Sequence, residues 1–226
     1  MTGPPATRPA RFAAAGTVDR MGSPHRSLLL PAVVALALGA AAGRILTPAA
    51  DTVGEFLVVA TTRWPSLLDH SATAALAGSW TAGVAGVLLA AALAAPALGW
   101  ARATLSTAAA SAVAGAGAVA LRLLVNRPRP NGDGDLLTSA MPSGHVLRAA
   151  VAAGLLTWAV HQYRRRWLTW LAGLPLAAAV AAVALSRVAV GAHWGGDAFV
   201  AVVLAGGAVA SATLVTETRR LPAPPP

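Results

Sequence analysis

Six apolar stretches, each of the length that crosses a bilayer as a helix, constrain this chain more than any other feature. A span takes about 20 residues, because roughly 30 Å of hydrocarbon must be covered at about 1.5 Å per residue. Runs of that order lie near Ser27 to Gly43, Trp80 to Trp100, Thr104 to Val125, Val146 to Tyr163, Trp167 to Leu185 and Asp197 to Val215. Charge is kept to their ends, apart from Arg148 in the fourth. An alanine-rich soluble bundle is the competing reading. With 56% of the 226 residues hydrophobic and only 11% charged, too few polar side chains remain to coat such a bundle. The expected fold is therefore all-α, a bundle of six transmembrane helices.

Charge then gives an expected orientation. The net charge is +9, and all 17 basic residues are arginine. With the N-terminus in the cytoplasm and six crossings, ten arginines fall inside: Arg8, Arg11, Arg20, Arg26, Arg102, Arg164, Arg165, Arg166, Arg219 and Arg220. Arg44, Arg63, Arg122, Arg127, Arg129 and Arg187 fall outside, so the positive-inside rule holds. Both termini are thus expected in the cytoplasm of a multi-pass cell-membrane protein. The arginines sit between apolar runs and not on a polar face interleaved with aromatics, so nucleic acid is not an expected partner. The absence of cysteine excludes a disulfide framework, a thiolate nucleophile and a cysteine metal site. Trp80 and Trp100 bracket the second run at the spacing of indoles resting at the two interfaces.

Residues 1–26, rich in Pro, Gly and Arg, are expected to be a disordered cytoplasmic tail, and 216–226 a disordered proline-rich tail. Between them, 27–215 form the membrane domain, with a catalytic core at about 104–215. The first run ends in Ala40, Ala41, Ala42 and Gly43 and reads either as an uncleaved anchor or, with Met21 as the start, as a cleavable secretory signal. We take it as an anchor, since cleavage signals of this kind are weak. Residues 44–79 form an outside loop in this reading, with an interfacial helix around Phe56 to Ala60.

Three polar clusters interrupt the apolar pattern, and the topology puts all three on one outside face. The first, Arg122 to Pro130, leaves the third span. Its prolines force an extended chain that holds Arg129 off the helix while Arg122 stays on the last turn. Two guanidinium forks would then converge on one anion, although an Arg-Pro string by itself is more often a headgroup anchor or stiff linker. The second, Pro142-Ser143-Gly144-His145, precedes the fourth span. Ser143 suits an N-cap, Gly144 admits a ligand close to the backbone, and the amides of a helix start point at an anion. The plain alternative is a capped turn, which leaves His145 unexplained. The third cluster, Ser186 to Asp197, places a carboxylate four residues after His193, where it would fix the imidazole tautomer and leave the other ring nitrogen for a substrate. Asp133 and Asp135 sit in a glycine-rich loop and read as solvated turn residues.

These residues resemble the type 2 phosphatidic acid phosphatase family, whose pattern is K-x6-R-P, then P-S-G-H, then S-R-x5-H-x3-D. Pro142 to His145 and Ser186 to Asp197 match completely. The first motif matches from Arg129-Pro130 back to Arg122, with arginine where the family usually has lysine, a departure that bears on rate and substrate preference.

The resemblance implies a six-helix membrane bundle of the phosphatidic acid phosphatase type 2 and haloperoxidase kind, working on a lipid phosphate without metal or cofactor. It implies that His193 attacks phosphorus to form a phosphohistidine, with Asp197 orienting the ring and balancing its charge. His145 would protonate the leaving group and then deprotonate water. Arg122, Arg129, Arg187, Ser143 and the Gly144 amide would hold the phosphoryl oxygens. Arg127 ranks below these, and Arg148 reads as snorkelling toward a headgroup. Polyprenyl pyrophosphate, phosphatidate and phosphatidylglycerol phosphate all present the same reacting group, and the motifs do not choose among them or fix an oligomeric state. Two rivals stand beside this reading. One is a catalytically silent protein that binds or transports lipid headgroups. The other is the vanadate-loaded halide oxidation of soluble relatives, against which six spans argue.

Overall fold

The computed structural model describes residues 50–53, 80–130 and 139–218, and among these all regular structure is helical. After a helical turn at 50–53 come α1 (Trp80–Leu98), α2 (Trp100–Val125), α3 (Gly144–His161), α4 (Arg166–Ala189) and α5 (Gly195–Thr218). The N-terminal tail, the expected first span, the interfacial helix around Phe56 to Ala60, the Asp133 and Asp135 turn and residues 219–226 lie outside the described residues. By length and composition, Trp100–Val125, Arg166–Ala189 and Gly195–Leu214 qualify as membrane spans, so this is a membrane protein. α1 is apolar but falls short of that length over its described side chains.

Helix ends follow local chemistry. Pro96 removes an amide from the last turn of α1, and Gly99 turns the chain with φ of 83°, a conformation that glycine adopts without a Cβ clash. The second span therefore stops at Leu98, and Trp100 opens α2 instead of closing the helix before it. α2 ends where Asn126 adopts the left-handed conformation at φ 41°, its amide bonded to the Arg122 carbonyl at 3.0 Å. α5 continues to Thr218, past the expected end of the sixth run at Val215 and into the first residues of the expected tail.

Small side chains set the packing. On α2, Ala103, Thr107, Ala110, Ala114, Ala118 and Leu121 recur at helical spacing and are all buried. α5 buries Ala198, Ala201, Ala205, Ala208 and Ala212. Such stripes let backbones approach closely, which drives association where lipid supplies no hydrophobic effect between helices. α3 is the hub: it packs along α1, α4 and α5, while α2 packs along α5 and α1. α4 is its opposite, burying only Val183 and Ser186. Away from the site, the Tyr163 hydroxyl donates to the Leu93 carbonyl at 2.9 Å and ties the α3–α4 turn to α1.

Candidate active site

The ends of α2 and α4 and the starts of α3 and α5 lie together, and their connecting segments are laced by hydrogen bonds. The Ala140 amide donates to the Arg127 carbonyl at 2.8 Å, and the Arg127 amide donates to Ser139 Oγ at 3.0 Å. The Ser143 amide donates to the Asp197 carbonyl at 3.1 Å, and the Trp194 indole donates to the Pro128 carbonyl at 3.0 Å. The three polar clusters of the sequence thus meet at one end of the bundle.

His193 is buried, and its Nδ1 lies 2.8 Å from the Ala140 carbonyl oxygen. A carbonyl only accepts, so the ring proton sits on Nδ1 and the lone pair is left on Nε2. The expected tautomer therefore arises, but from a backbone group. Asp197 Oδ2 stands 3.7 Å from Nδ1, an ion-pair distance and too long for a hydrogen bond. The reason is local: α5 begins at Gly195, so the two residues do not share a helical turn, and Asp197 is engaged elsewhere. Its Oδ2 accepts from the Trp194 amide at 2.8 Å, and its Oδ1 accepts from Arg127 at 3.0 Å.

Arg127, ranked low on sequence, is the clamp of this network. It pairs with fully buried Asp197 and with Asp51, and its guanidinium lies 5.2 Å from the Trp194 ring centroid. Asp51 also accepts from the Gly196 amide at 2.7 Å, in the first turn of α5. Sequence reasoning missed Asp51 and the Ala140 carbonyl. The scarcity of acidic residues, 8 in all, was the available signal for Asp51; a backbone carbonyl leaves no signal.

The anion-binding candidates show a common pattern. Ser143 occupies the N-cap position of α3, yet its hydroxyl makes no capping bond, contrary to expectation. Ser143 Oγ, Arg122 Nε and Arg187 Nε are buried without a hydrogen-bond partner, three of the four such side-chain atoms among the described residues. Unpaired buried donors of this kind are expensive unless an acceptor meets them. A Cβ at Gly144 would lie 3.1 Å from Arg122 Nη2 and 3.5 Å from Arg148 Nη1, so glycine admits both guanidinium groups to the start of α3. Arg148 therefore stands at the start of α3, near Gly144 and Arg122.

His145 is half-buried in the first turn of α3, outside the three qualifying spans. Burial first, and then the charges of Arg187, Arg148, His193 and Arg129, hold its imidazole down at about 4. It is a neutral base in the free protein at neutral pH, and a bound phosphoryl dianion would favour its protonated form.

The comparison with known families agrees with this arrangement. No curated protein and no solved structure matches the chain. The PAP2 superfamily profile matches residues 99–221, more than half of the sequence and all of α2 to α5. Phosphatases of that superfamily typically work without a metal. With three helices fit to cross a bilayer and the motif residues gathered at their ends, the chain belongs to the PAP2 superfamily as a membrane phosphatase.

Proposed function

We propose that this protein hydrolyses a lipid phosphate or pyrophosphate through a phosphohistidine on His193, within a six-span bundle whose site faces outward. One observation carries the reading: His193 keeps its Nε2 lone pair because Nδ1 is bonded to Ala140, in a site where Arg122, Ser143 and Arg187 hold partnerless buried donors. Nε2 attacks phosphorus, the N–P bond forms, and the P–O bond to the lipid breaks with its electron pair leaving on oxygen. His145, protonated under the influence of the bound anion, supplies a proton to that oxygen. It then takes a proton from water, whose oxygen bonds to phosphorus as the N–P bond breaks and inorganic phosphate leaves.

Asp197 acts through position and charge. It stabilises the imidazolium at 3.7 Å while Arg127 and the Trp194 amide hold it in place. Arg122, Arg129, Arg187 and Ser143, with the Gly144 amide, neutralise the equatorial oxygens, where charge accumulates. The arginine distribution supports the outward orientation.

The test uses the full chain in detergent with a panel of lipid phosphates and a chelator present. Wild type should release phosphate and carry an acid-labile label on His193, and His193→Ala should lose turnover by at least about 10³-fold. Release by the alanine variant at the wild-type rate sinks the nucleophile assignment. Headgroup binding without any release favours the silent binder.

A further inference from the structure

Arg148 is an additional cation at this site, beyond the arginines of the three motifs. It lies one helical turn from His145 on α3, and its Nη1 approaches Gly144 beside Nη2 of Arg122. A single phosphoryl group already has Arg122, Arg129 and Arg187 to neutralise it.

The surroundings of Arg148 give it a direction. His145 and Arg148 head a cavity of about 270 Å³ between α1, α3 and α4. Beyond these two residues its wall is apolar, formed by Gly83 and Gly86 of α1, Ala152 and Leu156 of α3, and Ala179 and Val180 of α4. α1 lies outside the matched family segment, which starts at residue 99. His145 is close enough to His193 to feel its charge, so a lipid whose chain occupied this cavity would carry its reacting phosphate toward His193, with the leaving oxygen on the His145 side. The next group along the chain then meets Arg148.

Resting on the phosphatase reading above, we propose that Arg148 binds the second phosphate of a lipid diphosphate, making an anionic leaving group the preferred substrate class. In the step so described, Nε2 of His193 bonds to the terminal phosphorus. The bridging P–O bond breaks, and the lipid monophosphate leaves with the electron pair and its negative charge. Arg148 neutralises that charge. An alkoxide leaving group would instead need a full proton transfer and would set an ester against a guanidinium.

The test compares farnesyl diphosphate with farnesyl monophosphate, using the full chain in detergent and phosphate release as readout. Wild type should favour the diphosphate in kcat/KM by roughly tenfold or more, as expected for a charge-assisted contact. Arg148→Gln should collapse that ratio toward one by slowing the diphosphate more than the monophosphate, and Arg148→Lys should restore part of it. A wild-type ratio near one overturns the proposal even where the glutamine variant does not fold. A large ratio that survives Arg148→Gln overturns the assignment to this residue. Absence of release from either substrate and from every lipid phosphate tested removes the phosphatase reading itself.

Discussion

α3 and α4 pack along each other and yet meet opposite solvents. α3 encloses Val146, Leu155 and Ala159 completely, and it carries His145, Arg148, Thr157 and His161 along its length. α4 leaves Trp167, Trp170, Leu171 and Leu174 more than half exposed. By hydropathy α4 qualifies as a span and α3 does not, although α3 is the hub of the bundle. A helix facing lipid must be apolar, whereas one facing other helices can carry polar groups where protein partners meet them. Hydropathy therefore reports the surface of such a bundle better than its centre.

Substitutions can break or sharpen that contrast. The largest effect is expected at the polar start of α3, where His145→Ala should lower turnover by roughly 10²- to 10⁴-fold. Its pH signature follows from the imidazole being held at about 4. In kcat/KM, which reports the free protein, His145 stays neutral until pH approaches 4; in kcat its protonation should appear at higher pH, because the bound anion favours the imidazolium. Coincident limbs in the two profiles would contradict the assigned role.

Next in size, Leu155→Ala in the enclosed part of α3 should destabilise the protein by about 2–5 kcal/mol, measured by unfolding in mixed micelles. A smaller contrast compares two glycines that face α3. A Cβ at Gly86 would lie 2.8 Å from the Ala152 Cβ, whereas one at Gly173 of α4 meets Thr157 Cγ2 at 3.5 Å, an ordinary contact. Gly86→Ala should therefore cost about 1–3 kcal/mol. Gly173→Ala should be neutral or stabilising by up to about 1 kcal/mol through helix propensity. The smallest effect belongs to Leu171→Ala on the exposed face of α4, within about 0.5 kcal/mol. A cost there as large as that of Leu155→Ala would mean that α4 is covered by protein.

The five described helices were legible because length and apolarity are local properties, and the motif residues because their spacing is rigid. The helix ends were less so: the turn at Gly99 depends on one backbone angle, and Trp100 satisfied an interface reading while belonging to the next helix. The contacts of Asp197 and Ser143 differ from expectation, since four-residue spacing implies a shared turn only inside a helix, and a serine before a helix need not cap it. Arg127 and Asp51 were hidden by distance along the chain. Their pairing joins residues 76 apart, and no local pattern encodes it.

α1 and α4 both pack along α3 and leave a cavity between them. A reactant that remains in its leaflet would therefore reach the pocket by a search in two dimensions, and its effective concentration would be a mole fraction of the surface. Adding inert detergent at fixed reactant dilutes that surface, and turnover should slow with no residue changed.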